Sequence, residues 1–220
     1  LGNFATSSIF LIVAALLMAP AMSKTGFAER FIYWLLSKIG CTATRITLGV
    51  TLANIALAFM VPSTAARTAT LLPICIAIIE IFRKNSGQEG RSQFAVGLLL
   101  TLAFTNSIIS AGILTATIPN PITADFILKA TGHSISYLDW FIYGFPPALI
   151  MTFFAWWLIT KVFKAEMNEI PGGHEMIVKK LNEMGKMSKD EWKTLGVFLF
   201  VVILWMTSSI TKIDTTVAAI

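Results

Sequence analysis

Two long apolar stretches in this chain are each interrupted by a short polar segment that carries proline. The first covers 45–82 and breaks at Pro62-Ser63-Thr64-Ala65-Ala66-Arg67-Thr68. The second covers 94–128 and breaks at Ser110-Ala111-Gly112 and again at Thr115-Ala116-Thr117-Ile118-Pro119-Asn120-Pro121. Apolar runs of this kind belong in a bilayer, where about 20 helical residues cross the hydrocarbon. Irregular backbone is tolerated at that depth only where protein buries it or where it lines a cavity. The pattern therefore calls for an all-α, polytopic membrane protein built around two interrupted segments. Composition agrees: 55% of residues are hydrophobic and 13% charged, against about 25% charged in soluble domains. That excludes a disordered chain, a nucleic-acid binder and an ordinary cytosolic enzyme. The net charge of +5 then reports cytoplasmic loops rich in Lys and Arg. Cys41 and Cys75 read as small buried hydrophobes, and His133 and His174 are isolated, so neither a metal site nor a catalytic cluster is expected.

Along the chain, 4–22 reads as a first span, and 27–39 as an amphipathic helix in the membrane interface. Residues 45–82 have basic residues at both ends (Arg45; Arg83 and Lys84), so both ends face one side and the unit is a hairpin. Its second arm, read as 68–82, is only about 22 Å long, which favours a re-entrant hairpin with its tip near mid-membrane. The proline break divides 94–128 into two half-helices. Residues 138–163 return, 165–193 form a hydrophilic cytoplasmic linker, and a further span follows over 195–210. Threading these spans puts every Lys and Arg on one side except Lys129, Lys212 and, at the hairpin tip, Arg67. That bias makes the side cytoplasmic. The chain reads as a piece of a longer membrane protein.

Each interruption is followed by a helix whose first N–H groups lack internal partners and whose dipole end is positive. Ser63 and Thr64 can cap the first; Asn120 then Pro121 reads as N-cap and first helical position of the second. Two such N-termini that converge form an anion site of the kind secondary transporters use. The candidate ligand-facing residues are Ser63, Thr64, Ala65, Arg67, Thr115, Thr117, Pro119, Asn120 and Pro121. Arg67 stands out because an intramembrane Arg is costly. The plainer reading is that the hydroxyls bond neighbouring carbonyls and Arg67 ties the tip to a backbone carbonyl.

At these residues the chain resembles the divalent anion/sodium symporter (DASS) family. Lys24-Thr25-Gly26-Phe27-Ala28-Glu29-Arg30-Phe31 resembles its signature before the interfacial helix. The segment from Pro62 to Thr68 resembles its Ser-Asn-Thr hairpin tip. The Asn-Pro break resembles the form in the citrate/succinate and 2-oxoglutarate/malate exchanger branch, and Asp190-Glu191-Trp192-Lys193 resembles the start of a second repeat. The resemblance implies two inverted repeats, each with a re-entrant hairpin, and a homodimer. On that reading 1–164 hold most of the first repeat, 165–193 a linker, and 194–220 the start of the second. It also implies transport of di- or tricarboxylates such as succinate, malate, 2-oxoglutarate or citrate in the cell membrane, completed by the remainder of the protein. The sequence departs from the motif where Thr64 replaces Asn and Ala65 replaces the second hydroxyl. Those positions shape sodium sites in the family, and Arg67 adds a fixed charge.

The leading expectation is a sodium-independent carboxylate exchanger with no cofactor. Sodium-coupled symport, with Na+ as the coupling ion, is the alternative, and a non-transporting membrane subunit the third reading. Besides the carboxylate, the expected partners are membrane lipids.

Overall fold

The structure, a computed structural model, describes Val13 and residues 24–86 and 92–207. The expected first span over 4–22 lies outside the described residues apart from Val13, as do Arg91 and the stretch 208–220. The described residues form eight helices and no strand beyond one isolated bridge. They are α1 (Phe27–Ile39), α2 (Ala43–Met60), α3 (Thr64–Ser86), α4 (Gln93–Ala111), α5 (Pro119–Thr131), α6 (Tyr137–Val162), α7 (Gly173–Glu183) and α8 (Lys189–Met206). Four of them, α2, α3, α4 and α6, are long and apolar enough to cross a membrane. The all-α, polytopic class read from the sequence is what the fold shows.

The amphipathic α1 buries Phe27, Ile32, Tyr33 and Leu36 and leaves Trp34 exposed. Gly26 and Gly40 bound it at φ 76° and 91°, backbone that a Cβ disfavours. Thr42 caps α2 by accepting the Arg45 N–H at 3.2 Å. The core lies where α1 through α4 meet, around Ile46, Val50, Leu57, Ile78, Phe82 and Leu98. Small residues let α4 and α6 approach closely. A Cβ on Gly112 would stand 2.8 Å from the Ala148 Cβ and 3.0 Å from the Phe145 Cα. The outer face of α6 carries exposed Ile142, Ile150, Phe154 and Trp157.

The second arm of the hairpin differs from expectation. It runs as α3 for 23 residues, about 34 Å rather than about 22 Å. The polar residues at its start are helical because Ser63 Oγ accepts the Ala66 N–H at 3.2 Å. Thr68 and Thr70 in turn bond back to the Thr64 and Ala66 carbonyls at 3.0 Å each. Length no longer argues for re-entrance, since either arm can cross. The Ala43 end of α2, the Phe94 end of α4 and the Phe163 end of α6 line one small cavity. From that shared end α2 and α4 rise for 18 and 19 residues, about 27 and 28 Å. The hairpin tip and the break therefore sit at one level.

The hydrophilic segment after α6 is docked onto this same end. Ala43 N–H donates to the Asn168 carbonyl at 2.8 Å and Ile170 N–H to the Cys41 carbonyl at 3.1 Å. Ile177 of α7 is fully buried. Glu166 takes the N–H groups of Gln93 and Phe94 and the Ser92 hydroxyl, placing a carboxylate at the positive end of α4. Burial pulls its pKa up, but these hydrogen bonds outweigh burial and hold it below the usual carboxylate range.

Candidate functional site

Residues 61–63 and 112–118 leave their backbone outside regular helix. The fold joins these two interruptions through one polar network. Arg67, fully buried on the first turn of α3, donates from Nε to Asn106 Oδ1 at 2.8 Å and from Nη1 to the Val61 carbonyl at 3.1 Å. Its Nη2 donates to Ser110 Oγ. Asn106 in turn donates to the Thr64 carbonyl and to Thr68 Oγ1, both at 2.9 Å. Ser110 passes the network to the second interruption, where Asn120 Nδ2 donates to the Ser110 and Ile113 carbonyls at 2.8 Å each.

All of the Arg67 partners are neutral oxygens. Among the described residues no carboxylate lies within ion-pair distance of it, so there its positive charge has no counter-charge. A buried cation of this kind favours an anion nearby. Among the described residues no His, Cys, Asp and Glu cluster could hold a metal ion.

The structure corrects the expected role of Asn120. Helix α5 starts at Pro119 with Ile118 as its N-cap, so Asn120 lies in the first turn and does not cap it. The physical reason is supply and demand. Pro119 and Pro121 carry no N–H, so little remains to be capped, whereas the end of α4 leaves carbonyls that need donors. The Asn120 amide goes to them. Ser63 does cap α3 through its hydroxyl. Thr64 joins the network through its carbonyl, while Ala65 is exposed. Thr115 and Pro121 are buried, Thr117 half-buried and Pro119 exposed. Among the described residues no hydrogen bond joins Thr115, Thr117 or Pro119 to the tip. Sequence reasoning missed Asn106 and Ser110 as site residues. An amide and a hydroxyl one turn apart inside an apolar run were the signal, because polar side chains there need partners.

This geometry separates two variants. Asn120→Ala removes one donor from each of two buried carbonyls that keep a backbone N–H, and is expected to destabilise the protein by about 1 kcal/mol. Thr101 is fully buried and its hydroxyl has no partner among the described residues, so Thr101→Val is expected to leave the melting temperature unchanged or raised. Thermal unfolding of both variants in detergent checks this; equal losses would contradict the network as drawn.

Residues 1–220 match the family described as the sodium:sulfate symporter transmembrane region. A membrane protein of Cupriavidus necator is 35% identical over 207 residues, which cover 94% of this chain and 40% of that protein. The sodium-dependent dicarboxylate transporter SdcS of Staphylococcus saprophyticus is 32% identical over 211 residues, with the same coverage of each chain. SdcS of Staphylococcus aureus is 29% identical over 211 residues, again 94% of this chain and 40% of the relative. The chain thus spans about 40% of the length of the curated relatives it matches. With four membrane-length apolar helices and a family match from its first residue to its last, the chain belongs to the sodium:sulfate symporter family, the DASS proteins, and is a multi-pass membrane protein.

Proposed function

We propose that this chain is the part of a sodium-coupled dicarboxylate transporter that holds one hairpin tip and one helix break of the substrate site. The observation that carries the reading is the Arg67–Asn106–Ser110–Asn120 network, which joins both interruptions around a positive charge that has no counter-charge among the described residues. Relatives named as sodium-dependent dicarboxylate transporters support the substrate class and the coupling ion.

The exchanger reading loses ground on two counts. It needed Arg67 to pair directly with the substrate, and its Nε, Nη1 and Nη2 are instead engaged by Asn106, the Val61 carbonyl and Ser110. The relatives are also named for sodium dependence. Sodium prefers oxygen ligands, and broken membrane helices supply them as free carbonyls. The Val61 carbonyl, Asn106 and Ser110 already serve the guanidinium and would hold a sodium ion poorly beside it. The hydroxyls of Ser63 and Thr64 and the irregular carbonyls of 112–118 fit the ion better. The hairpin is read as entering and leaving on the cytoplasmic side, supported by Arg45, Arg83 and Lys84 at its ends. A homodimer is part of the same reading.

The full-length protein in proteoliposomes tests it. Succinate uptake is expected under an inward sodium gradient and not under an equal potassium gradient. Sodium-independent succinate counterflow would restore the exchanger. No uptake and no thermal shift with succinate, malate or citrate would leave a structural subunit.

A further inference from the structure

Tyr137 opens α6, and its side chain is fully buried. Its ring stacks on Trp205 of α8 with centroids 5.5 Å apart and planes 26° from parallel. Ile113, Leu114 and Ala116 of the break belong to the same cluster. The Thr115 side chain lies within reach of the hydroxyl, yet among the described residues no hydrogen bond of good geometry satisfies it. A buried phenol normally finds a partner, and an unpaired one is a standing cost to the fold.

The stacked ring fixes where the oxygen sits and leaves only the O–H free to turn. The neighbouring backbone is the irregular stretch 112–118, and Thr115, 4% exposed, presents the other hydroxyl there. Two hydroxyls at a helix break, one of them unpaired, make a donor pair suited to a carboxylate oxygen. We propose that Tyr137 is a substrate-recognition residue: when the carrier is loaded, its O–H donates, beside Thr115, to one carboxylate of the dicarboxylate. The inference rests on the transport reading above and adds to it a residue beyond the hairpin and the broken helix.

The empty state then carries an unsatisfied hydroxyl that loading satisfies, so part of the binding free energy comes from relieving that cost. This sets a recognition role apart from a structural one. Removing an orphaned hydroxyl should help the fold and harm binding, whereas removing a structural hydroxyl should harm the fold.

The test uses Tyr137→Phe and Thr115→Val in the full-length protein, with succinate uptake in proteoliposomes and thermal unfolding in detergent. Tyr137→Phe is expected to raise the KM for succinate roughly tenfold, with maximal rate little changed and melting temperature equal or higher. Thr115→Val is expected to raise KM in the same direction, and it carries the test if Tyr137→Phe does not fold. A wild-type KM in the folded variants would overturn the assignment and leave the transport reading standing. A lowered melting temperature with unchanged KM would make Tyr137 structural and overturn it equally. Absence of any succinate uptake or thermal shift in the wild type would remove the transport reading and this inference together.

Discussion

Arg30→Ala is expected to destabilise this protein by about 1–3 kcal/mol, the loss of several charge-assisted hydrogen bonds in a part-buried pair. Arg30 on α1 reaches Glu191 through Nε at 2.5 Å and through Nη2 at 3.3 Å. It also donates to the Met184 and Gly185 carbonyls at 2.9 and 2.7 Å. The side chains are 15% and 4% exposed. Glu191 also closes a capping box with Ser188 at the start of α8, so one carboxylate both ends a helix and anchors α1 to it. Arg30→Lys should recover only part of the loss, because an ammonium cannot form the fork that spans both carboxylate oxygens.

The same contact gives a pH dependence. Burial pulls the Glu191 pKa up, but Arg30 and the Ser188 N–H and hydroxyl outweigh it and hold the group below its ordinary 4.5. The folded state thus favours the ionised form. Its contribution is complete above pH 4.5 and is lost as pH falls through the lowered folded value. Glu166 is shifted in the same direction. Melting curves of wild type and Glu191→Gln should therefore converge on acidification. A gap that stays constant down to pH 3, about one unit below the ordinary carboxylate range, would contradict the pair.

Arg67→Ala is expected to abolish uptake and to lower the melting temperature by about 10 °C or more, since buried Asn106 and the Val61 carbonyl lose their donors. Two further variants separate charge from tether. Arg67→Gln keeps a hydrogen-bonding head and loses the charge; it should fold near normally but bind succinate roughly tenfold more weakly or worse. Arg67→Lys keeps the charge but cannot reach three oxygens on two elements; it should melt early while retaining more of the affinity. Succinate binding to Arg67→Gln at wild-type strength would show that the charge plays no part.

The interruptions were legible because Pro62-Ser63 and Pro119-Asn120-Pro121 break apolar runs that otherwise leave little doubt. The reach of α3 was not, because its threonines hide their hydroxyls on carbonyls one turn back and so pass for a loop. Asn120 followed by Pro121 reads as a cap on local grounds; the carbonyls it serves, at Ser110 and Ile113, become visible only once α4 ends. The segment after α6 looked like a loose linker because it is polar and holds Pro171-Gly172-Gly173. Its docking depends on Cys41, Ser92 and Gln93, far away in sequence. Arg30 and Glu191 each stood in a recognisable motif, yet nothing local shows that the two motifs meet.

That meeting has a consequence for how the protein is made. Arg30 and Glu191 are 161 residues apart, and the carbonyls that complete the contact come from residues just before Glu191. Synthesis proceeds at about 5–20 residues per second, so Arg30 waits on the order of ten seconds for its partner. During that time α2, α3, α4 and α6, the four helices long and apolar enough to cross a membrane, have all been synthesised. Helix α1 therefore receives this anchor after α2, α3, α4 and α6 are made, and a ribosome stalled before Glu191 would hold a nascent chain with this joint still open.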